Sequence, residues 1–230
     1  MKQAKKAHPK PETQAGTLAD PALKRSFKGH KDSVCRVAFN PNLKQVVSGS
    51  ADGTVMVWNF KPTMRPFRFV GHKSQVYDVK VAAPGNLIAS CSADTTIRLW
   101  NNSVEGQSQI IKKHSGAVRS ISISANGQLI LSGSGDKTLK IHQIADRKFL
   151  FSINAHNNWI RSCTFAPDQR LIASGSDDHT VKLWDFSSRQ CINTFVDHDS
   201  GVNSVRFHPD GTCVASGSAD RTIKIWDIRS

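Results

Sequence analysis

Acidic residues, cysteine, tyrosine and long apolar segments are all scarce in this sequence of 230 residues. The five cysteines are odd in number and include no Cys-X-X-Cys pair, which argues against a disulfide framework and against a zinc site. No apolar run approaches the ~18 residues that a membrane-spanning helix needs, and no secretory apolar segment follows the first methionine. These absences predict a soluble intracellular protein with reduced thiols.

The shortage of acidic residues leaves a strong positive charge. Lys and Arg number 31 against 18 Asp and Glu, which gives a formal net charge of +13. Such an excess favours an acidic partner surface, but it does not choose between nucleic acid and an acidic protein. Residues 1–21 carry four lysines and little apolar content, and we predict a flexible basic N-terminal arm there. Residues 22–230 are predicted to form the folded domain.

The folded part repeats itself every 42 residues. Five histidines stand at this interval, and an Asp follows each of them after 22 residues. An aromatic residue follows each Asp after six residues, and a Ser-Gly-Ser or Ser-Cys-Ser triplet lies between the His and the Asp. Since the five units contain no insertion or deletion, the sequence predicts five copies of one structural unit.

These residues resemble the WD40 repeat. The Gly-His pairs are Gly29-His30 and Gly71-His72, and the Trp-Asp pairs are Trp184-Asp185 and Trp226-Asp227. The resemblance covers residues 22–230 and implies an all-β fold, a WD40 β-propeller with four antiparallel strands in each blade. The apolar residues Val34, Val37 and Phe39 are spaced by three and then two, which predicts a β-bulge near Cys35-Arg36. Turn residues such as Pro84-Gly85 follow the first strand of each unit.

The repeated His, Ser and Asp suggest a hydrolase triad, but a fivefold occurrence at one spacing indicates structure instead. The resemblance implies buried hydrogen-bonded tetrads, in which the Asp bonds the His, the His bonds the Ser and the Ser accepts the Trp N–H. The predicted sets are His30, Ser48, Asp52 and Trp58; His72, Ser90, Asp94 and Trp100; His114, Ser132 and Asp136; His156, Ser174, Asp178 and Trp184; and His198, Ser216, Asp220 and Trp226. In the third unit His142 replaces the Trp, so we expect a softer blade that keeps a donor. No catalytic residue, cofactor or metal ligand is predicted.

Function is then expected where the repeats differ. In the family, three positions per unit point to the top face of the propeller, and most of them are small here. The candidates for partner binding are Gln75, Tyr77, Arg119, Trp159, Arg161, Asp177 and Asn203. We hypothesise that Tyr77, Arg119, Trp159 and Arg161 contact an acidic or aromatic partner segment, since exposed Tyr, Trp and Arg dominate interface energetics. The alternative is that Trp159 merely covers the central channel.

A second basic set stands two residues before the tetrad aromatic position: Arg98, Lys140, Lys182 and Lys224. We expect these side chains to be solvated or locally paired. Interleaved aromatics for base stacking are missing there, which makes nucleic acid an unlikely partner.

Longer segments resemble the centriolar WD-repeat family, the proteome-of-centriole proteins. They include FKGHKDSV from Phe27 to Val34 and FHPDGTCVASGSADRTIKIWD from Phe207 to Asp227. The resemblance implies a non-enzymatic scaffold of centrioles and ciliary basal bodies that binds microtubule-associated proteins with acidic surfaces. The alternatives are a WD40 substrate-recognition subunit or a ribonucleoprotein subunit that binds an acidic or phosphorylated partner.

Members of that family have seven blades, whereas five units are present here. We therefore expect an open arc, which allows self-association through its free blade edges. The alternative is a closed five-bladed ring in which the segment Leu23–Phe27 supplies the missing fourth strand.

Overall fold

The computed structural model describes residues 23–61, 63–83, 85–102 and 108–229. The predicted arm, residues 1–21, and the turn residue Pro84 lie outside these ranges. Within them the regular structure consists of strands, which are, in chain order, β1 (Val34–Phe39), β2 (Gln45–Ser50), β3 (Thr54–Asn59), β4 (Phe67–Val70), β5 (Val76–Ala82), β6 (Leu87–Ser92), β7 (Ile97–Asn101), β8 (Gln109–Ile111), β9 (Val118–Ile123), β10 (Leu129–Ser134), β11 (Thr138–Gln143), β12 (Phe149–Asn154), β13 (Ile160–Phe165), β14 (Leu171–Ser176), β15 (Val181–Asp185), β16 (Cys191–Phe195), β17 (Val202–Phe207), β18 (Cys213–Ser218) and β19 (Ile223–Asp227).

The strands form five antiparallel sheets, one for each repeat unit. Four sheets have four strands in sequence order, and the fifth has the three strands β17, β18 and β19. The register of the first pair shifts between Val34 and Arg36, and matching shifts occur in the other four sheets. The predicted all-β propeller blades and the predicted bulge are therefore confirmed.

The core lies between neighbouring blades. Val76 and Val79 of β5 are fully buried against Val55 and Val57 of the preceding blade. The glycine of the Ser-Gly-Ser triplet makes this approach close, because a Cβ at Gly49 would lie 2.6 Å from Val76 Cγ1. The same relation holds for Gly133 with Ile160 and for Gly175 with Val202. Each fully buried Val or Ile contributes roughly 1.5–3 kcal/mol, so blade-to-blade packing dominates the stability.

Hydrogen bonds from the first strand of one blade to the next reinforce this packing. Ser162 Oγ accepts the backbone N–H of Val205 at 3.1 Å, and Ser120 Oγ accepts that of Cys163 at 3.2 Å. One blade earlier, Asp78 fills the same position. The 42-residue period would have revealed this recurring polar position, which the sequence analysis missed.

The two ends of the array are not covered. Val37 of β1 is 60% exposed, whereas its equivalent Val79 is fully buried. At the other end Ile225 is 72% exposed, whereas its equivalent Leu183 is 4% exposed. A Cβ at Gly217 would meet no atom of the described residues within 4 Å, unlike the triplet glycines of the inner blades. The blades therefore form an open arc, as predicted.

The segment Leu23–Phe27 does not join the fifth sheet, so the closed five-bladed alternative is wrong. This segment forms no strand and lies against the first blade. Arg25 Nη1 donates to the carbonyl of Phe60 at 2.6 Å, and the Phe27 ring lies 5.4 Å from that of Trp58. The last blade keeps a free edge at β19.

Candidate functional site

The repeated polar residues form tetrads inside the blades. In the second unit His72 Nδ1 lies 2.9 Å from Asp94 Oδ2, and His72 Nε2 lies 2.8 Å from Ser90 Oγ. The indole N–H of Trp100 donates to the same Ser90 Oγ at 2.8 Å. The first, fourth and fifth units have the same three bonds, with distances between 2.6 and 3.2 Å.

The carboxylates of these tetrads are held in the ionised form. Burial acts to raise the pKa of Asp94, but hydrogen bonds from Thr96, Lys73 N and His72 outweigh it and lower the pKa to about 2. Burial lowers the pKa of His72, although its hydrogen bond to Asp94 acts in the opposite direction. The serine is buried, and its hydroxyl already bonds both His72 and Trp100. A nucleophilic serine needs access to substrate, which this buried and doubly bonded hydroxyl lacks. The tetrad geometry is therefore that of a structural element.

The third unit departs from the pattern. His114 and Ser132 are bonded at 2.8 Å, but His142 lies in place of the Trp, and neither of its ring nitrogens is hydrogen-bonded to a described residue. The expectation that His142 keeps a donor bond is wrong, because the shorter imidazole does not reach Ser132. Ser132 Oγ instead lies 3.2 Å from the carbonyl oxygen of Lys140. Burial and the positive charges of His114, Lys140 and Lys113 lower the pKa of His142 to about 4.

Each tetrad also includes a threonine that the sequence analysis missed. Thr96 Oγ1 donates to Asp94 Oδ1 at 2.6 Å, and a Thr stands two residues after the Asp in every unit. The intervening residue has a positive φ, for example 70° at Thr95. The fixed offset from the Asp was the signal that could have found these threonines.

The residues predicted for partner binding converge on the face that carries the tetrad His and Asp loops. Tyr77, Arg119 and Arg161 occupy equivalent positions on β5, β9 and β13. The Arg119 guanidinium carbon lies 5.1 Å from the centre of the Tyr77 ring and 4.7 Å from that of Trp159. Trp159 is 46% exposed. Side chains from three successive blades therefore meet. We call Tyr77, Arg119, Trp159, Arg161 and Asp177 the top cluster.

Arg161 is already paired within the top cluster. Its Nε donates to Asp177 Oδ1 at 2.5 Å, and this hydrogen bond raises the pKa of Arg161. The backbone N–H of Asp177 donates to the carbonyl of Trp159 at 3.0 Å, which ties the two loops together. Because Asp177 neutralises Arg161, Arg119 is the arginine of the cluster that is left for a ligand.

Two predicted residues lie beside the top cluster. Gln75 Nε2 lies 3.4 Å from Cys35 Sγ, a contact between the first and second blades. Asn203 is exposed on β17, where no side-chain hydrogen bond links it to another described residue. They could extend a contact surface but are not part of the stack.

Three of the four basic residues predicted on the third strands have local partners, and for Lys140 no side-chain partner is found among the described residues. Arg98 lies over the Trp100 ring at 5.8 Å, and Lys182 lies over the Trp184 ring at 5.7 Å. Lys224 bonds the side chain of Asp197. These contacts match the expectation of local pairing and distribute the positive charge around the blades.

Among the described residues, no helix is long and apolar enough to cross a membrane. Across the same ranges, no group of three or more His, Cys, Asp or Glu side chains is arranged to hold a metal ion.

The repeat, the tetrads and the blades define the class of protein. The family model described as WD40: WD domain, G-beta repeat, matches residues 22–59, 64–101, 106–143, 147–185 and 189–227. These ranges cover most of the chain, which belongs to the WD40 repeat family.

Part of the chain is similar to curated WD40 proteins. The chain is 58% identical over 55 residues to POC1 centriolar protein homolog A of Xenopus tropicalis and 56% identical over 55 residues to POC1 centriolar protein homolog B of Xenopus laevis. It is 46% identical over 56 residues to POC1 centriolar protein homolog B of Mus musculus. Each match covers 24% of this chain and 12% of the relative, so the similarity spans about an eighth of each relative's length.

Proposed function

We propose that this chain is a non-enzymatic WD40 scaffold of centrioles and ciliary basal bodies. The top cluster carries the proposal, because it presents an exposed Trp159 and an Arg119 guanidinium without a hydrogen bond to any described residue, whereas the tetrad residues bond one another inside the blades. The names of the relatives support the centriolar assignment. In this role the protein lies in the cytoplasm at the cytoskeleton, and it supports centriole assembly and stability and cilium formation through protein contacts.

The partner is a protein with an acidic surface, such as a microtubule-associated protein. A net charge of +13 attracts such a surface and accelerates encounter, while the aromatic and arginine side chains of the top cluster supply contact energy. Nucleic acid is disfavoured because Arg98, Lys182 and Lys224 are engaged locally.

The free ends of the arc allow the scaffold to associate with itself. Val37 at one end, and Ile223 and Ile225 at the other, are 60–79% exposed, whereas the equivalent positions between inner blades are buried. Exposed apolar faces of this kind mark association surfaces.

Proximity labelling in dividing, ciliated cells tests the proposed function. A biotin ligase fused to the wild-type chain is expected to label centriolar proteins, and the double substitution Trp159→Ala, Arg119→Gln is expected to lower that labelling several-fold. Ile192→Ala removes an apolar side chain that is 54% exposed on β16 and is the control. Equal labelling by all three folded proteins contradicts the role of the top cluster.

A substrate-recognition subunit or a ribonucleoprotein subunit is the competing function. Reading a phosphorylated motif through two arginines is disfavoured, because Arg161 already bonds Asp177. Enrichment of ubiquitin-ligase components, or of RNA-binding proteins, in the same labelling experiment would favour these alternatives.

A further inference from the structure

We infer that Tyr77, Arg119 and Trp159 form a receptor for one carboxylate side chain, an Asp or Glu of an acidic partner peptide. The inference rests on the proposed function and specifies the chemistry of its partner site.

The Arg119 guanidinium lies over two aromatic rings, an arrangement that we call the clamp. The Tyr77 ring lies on one blade and the Trp159 ring on another, at 5.1 and 4.7 Å from the guanidinium carbon. A cation that lies over an aromatic face is attracted to the ring, so two such rings restrict the position of the guanidinium. An arginine otherwise loses much side-chain freedom on binding, so this clamp reduces the entropy lost when a ligand arrives.

The edge of the same guanidinium is left without a protein partner. Arg119 Nε is buried with no hydrogen bond, and its terminal nitrogens form none with the described residues. A guanidinium carries five N–H donors in one plane, and a carboxylate offers two oxygens that match such an edge. The terminal nitrogens are therefore the point at which a carboxylate docks.

The surroundings select a single negative charge. Arg161 is compensated by Asp177 at 2.5 Å, so the cluster has one uncompensated cation. A phosphate, with up to two negative charges, is better matched by several arginines. Small residues border the stack: the indole of Trp159 packs against Gly135, and the carbonyl of Ala117 accepts the backbone N–H of Gly135.

Fluorescence polarisation with labelled peptides tests the receptor in the full chain. Labelled deca-glutamate is the probe, deca-glutamine is the neutral comparison, and a ten-nucleotide uridine RNA represents the competing class of ligand. We expect the wild-type chain to bind deca-glutamate at least tenfold more tightly than deca-glutamine.

Two substitutions at Arg119 separate the clamp from simple charge. Arg119→Gln is expected to weaken deca-glutamate binding about tenfold, since a charge-assisted hydrogen bond is lost. Arg119→Lys keeps the charge but loses the planar edge, so we expect severalfold weaker binding as well. Arg68→Gln removes an exposed positive charge on β4 and is the matched control, with less than a twofold effect expected. An unchanged thermal midpoint shows that each variant is folded.

Three results would overturn the receptor. They are no preference for glutamate over glutamine, equal losses from Arg119→Gln and Arg68→Gln, and tighter binding of the RNA that depends on Arg119. Such a result with normal centriolar localisation removes the carboxylate receptor alone. Normal glutamate binding without centriolar localisation contradicts the proposed function instead.

Discussion

Replacing His142 by Trp is expected to stabilise the protein. In four units a Trp N–H donates to the tetrad serine. In the third unit this bond is missing, and both nitrogens of the fully buried His142 imidazole lack a partner within the described part of the chain. An indole at position 142 would pack near Ile111. The equivalent pair one unit later, Trp184 and Ile153, lies in one buried core cluster, so an isoleucine at this position accommodates a Trp. Phe149, whose ring lies 5.4 Å from His142, is 39% exposed and can turn outward.

The magnitude follows from two contributions. A restored hydrogen bond contributes about 1 kcal/mol, and removing unsatisfied buried polar groups returns roughly 1–3 kcal/mol. Crowding against Phe149 costs about 1 kcal/mol. The net expectation for His142→Trp is about 2 kcal/mol, or roughly 4–8 °C in thermal midpoint for a chain of this size.

Calorimetry on four variants measures the effect. His142→Phe removes the unsatisfied nitrogens without supplying a donor, so we expect it to give about half the gain of His142→Trp. Because Ser132→Ala also removes the bond to His114, it is made both alone and in the His142→Trp background, and its larger cost in the second background measures the bond from the Trp as a coupling energy. A lower midpoint for His142→Trp, or equal midpoints for the Trp and Phe variants, would refute the reasoning.

Three further predictions concern pH, the open ends and the tetrad turn. The pKa of His142 is about 4 in the folded protein and near 6.5 in the unfolded chain, so the unfolded chain binds the proton more readily. Folding stability therefore falls by up to about 3 kcal/mol as pH drops from 6.5 to 4. His142→Phe should make the urea midpoint less dependent on pH between pH 5 and 6.5. Val37→Glu should abolish concentration-dependent association in sedimentation velocity, whereas Val70→Glu, at an equally exposed outer-strand site, should not. Persistent association in Val37→Glu places the contact elsewhere. Thr95→Gly should raise the free energy of unfolding measured in urea by about 1 kcal/mol, because a β-branched residue is strained at a φ of 70°. A lower free energy of unfolding would show that the turn is unstrained.

The fold was predictable because the repeat averages out local ambiguity. Val34, Val37 and Phe39 alone cannot establish a bulge, but the same spacing in five units does. Tetrad geometry follows similarly, since His72, Ser90 and Asp94 have fixed offsets from equivalent residues in other units.

The top cluster was predictable only in its membership. Sequence positions brought Tyr77, Arg119 and Trp159 to one face, but the stacking of their side chains depends on rotamers and on the curvature of the arc. The pairing of Arg161 with Asp177 changes which arginine is free, and no spacing rule reveals it. The prediction that His142 keeps a donor bond was wrong for a related reason, because the size of the ring decides whether its N–H reaches Ser132.

Localisation of the fluorescently tagged full chain in dividing, ciliated cells tests the central claim most directly. The account predicts paired foci that coincide with a centriole marker and persist at the ciliary base. It also predicts weaker foci for Trp159→Ala with Arg119→Gln at equal expression, and unchanged foci for Ile192→Ala. A diffuse or nucleolar signal for the wild-type chain, with none at centrioles, would contradict the account.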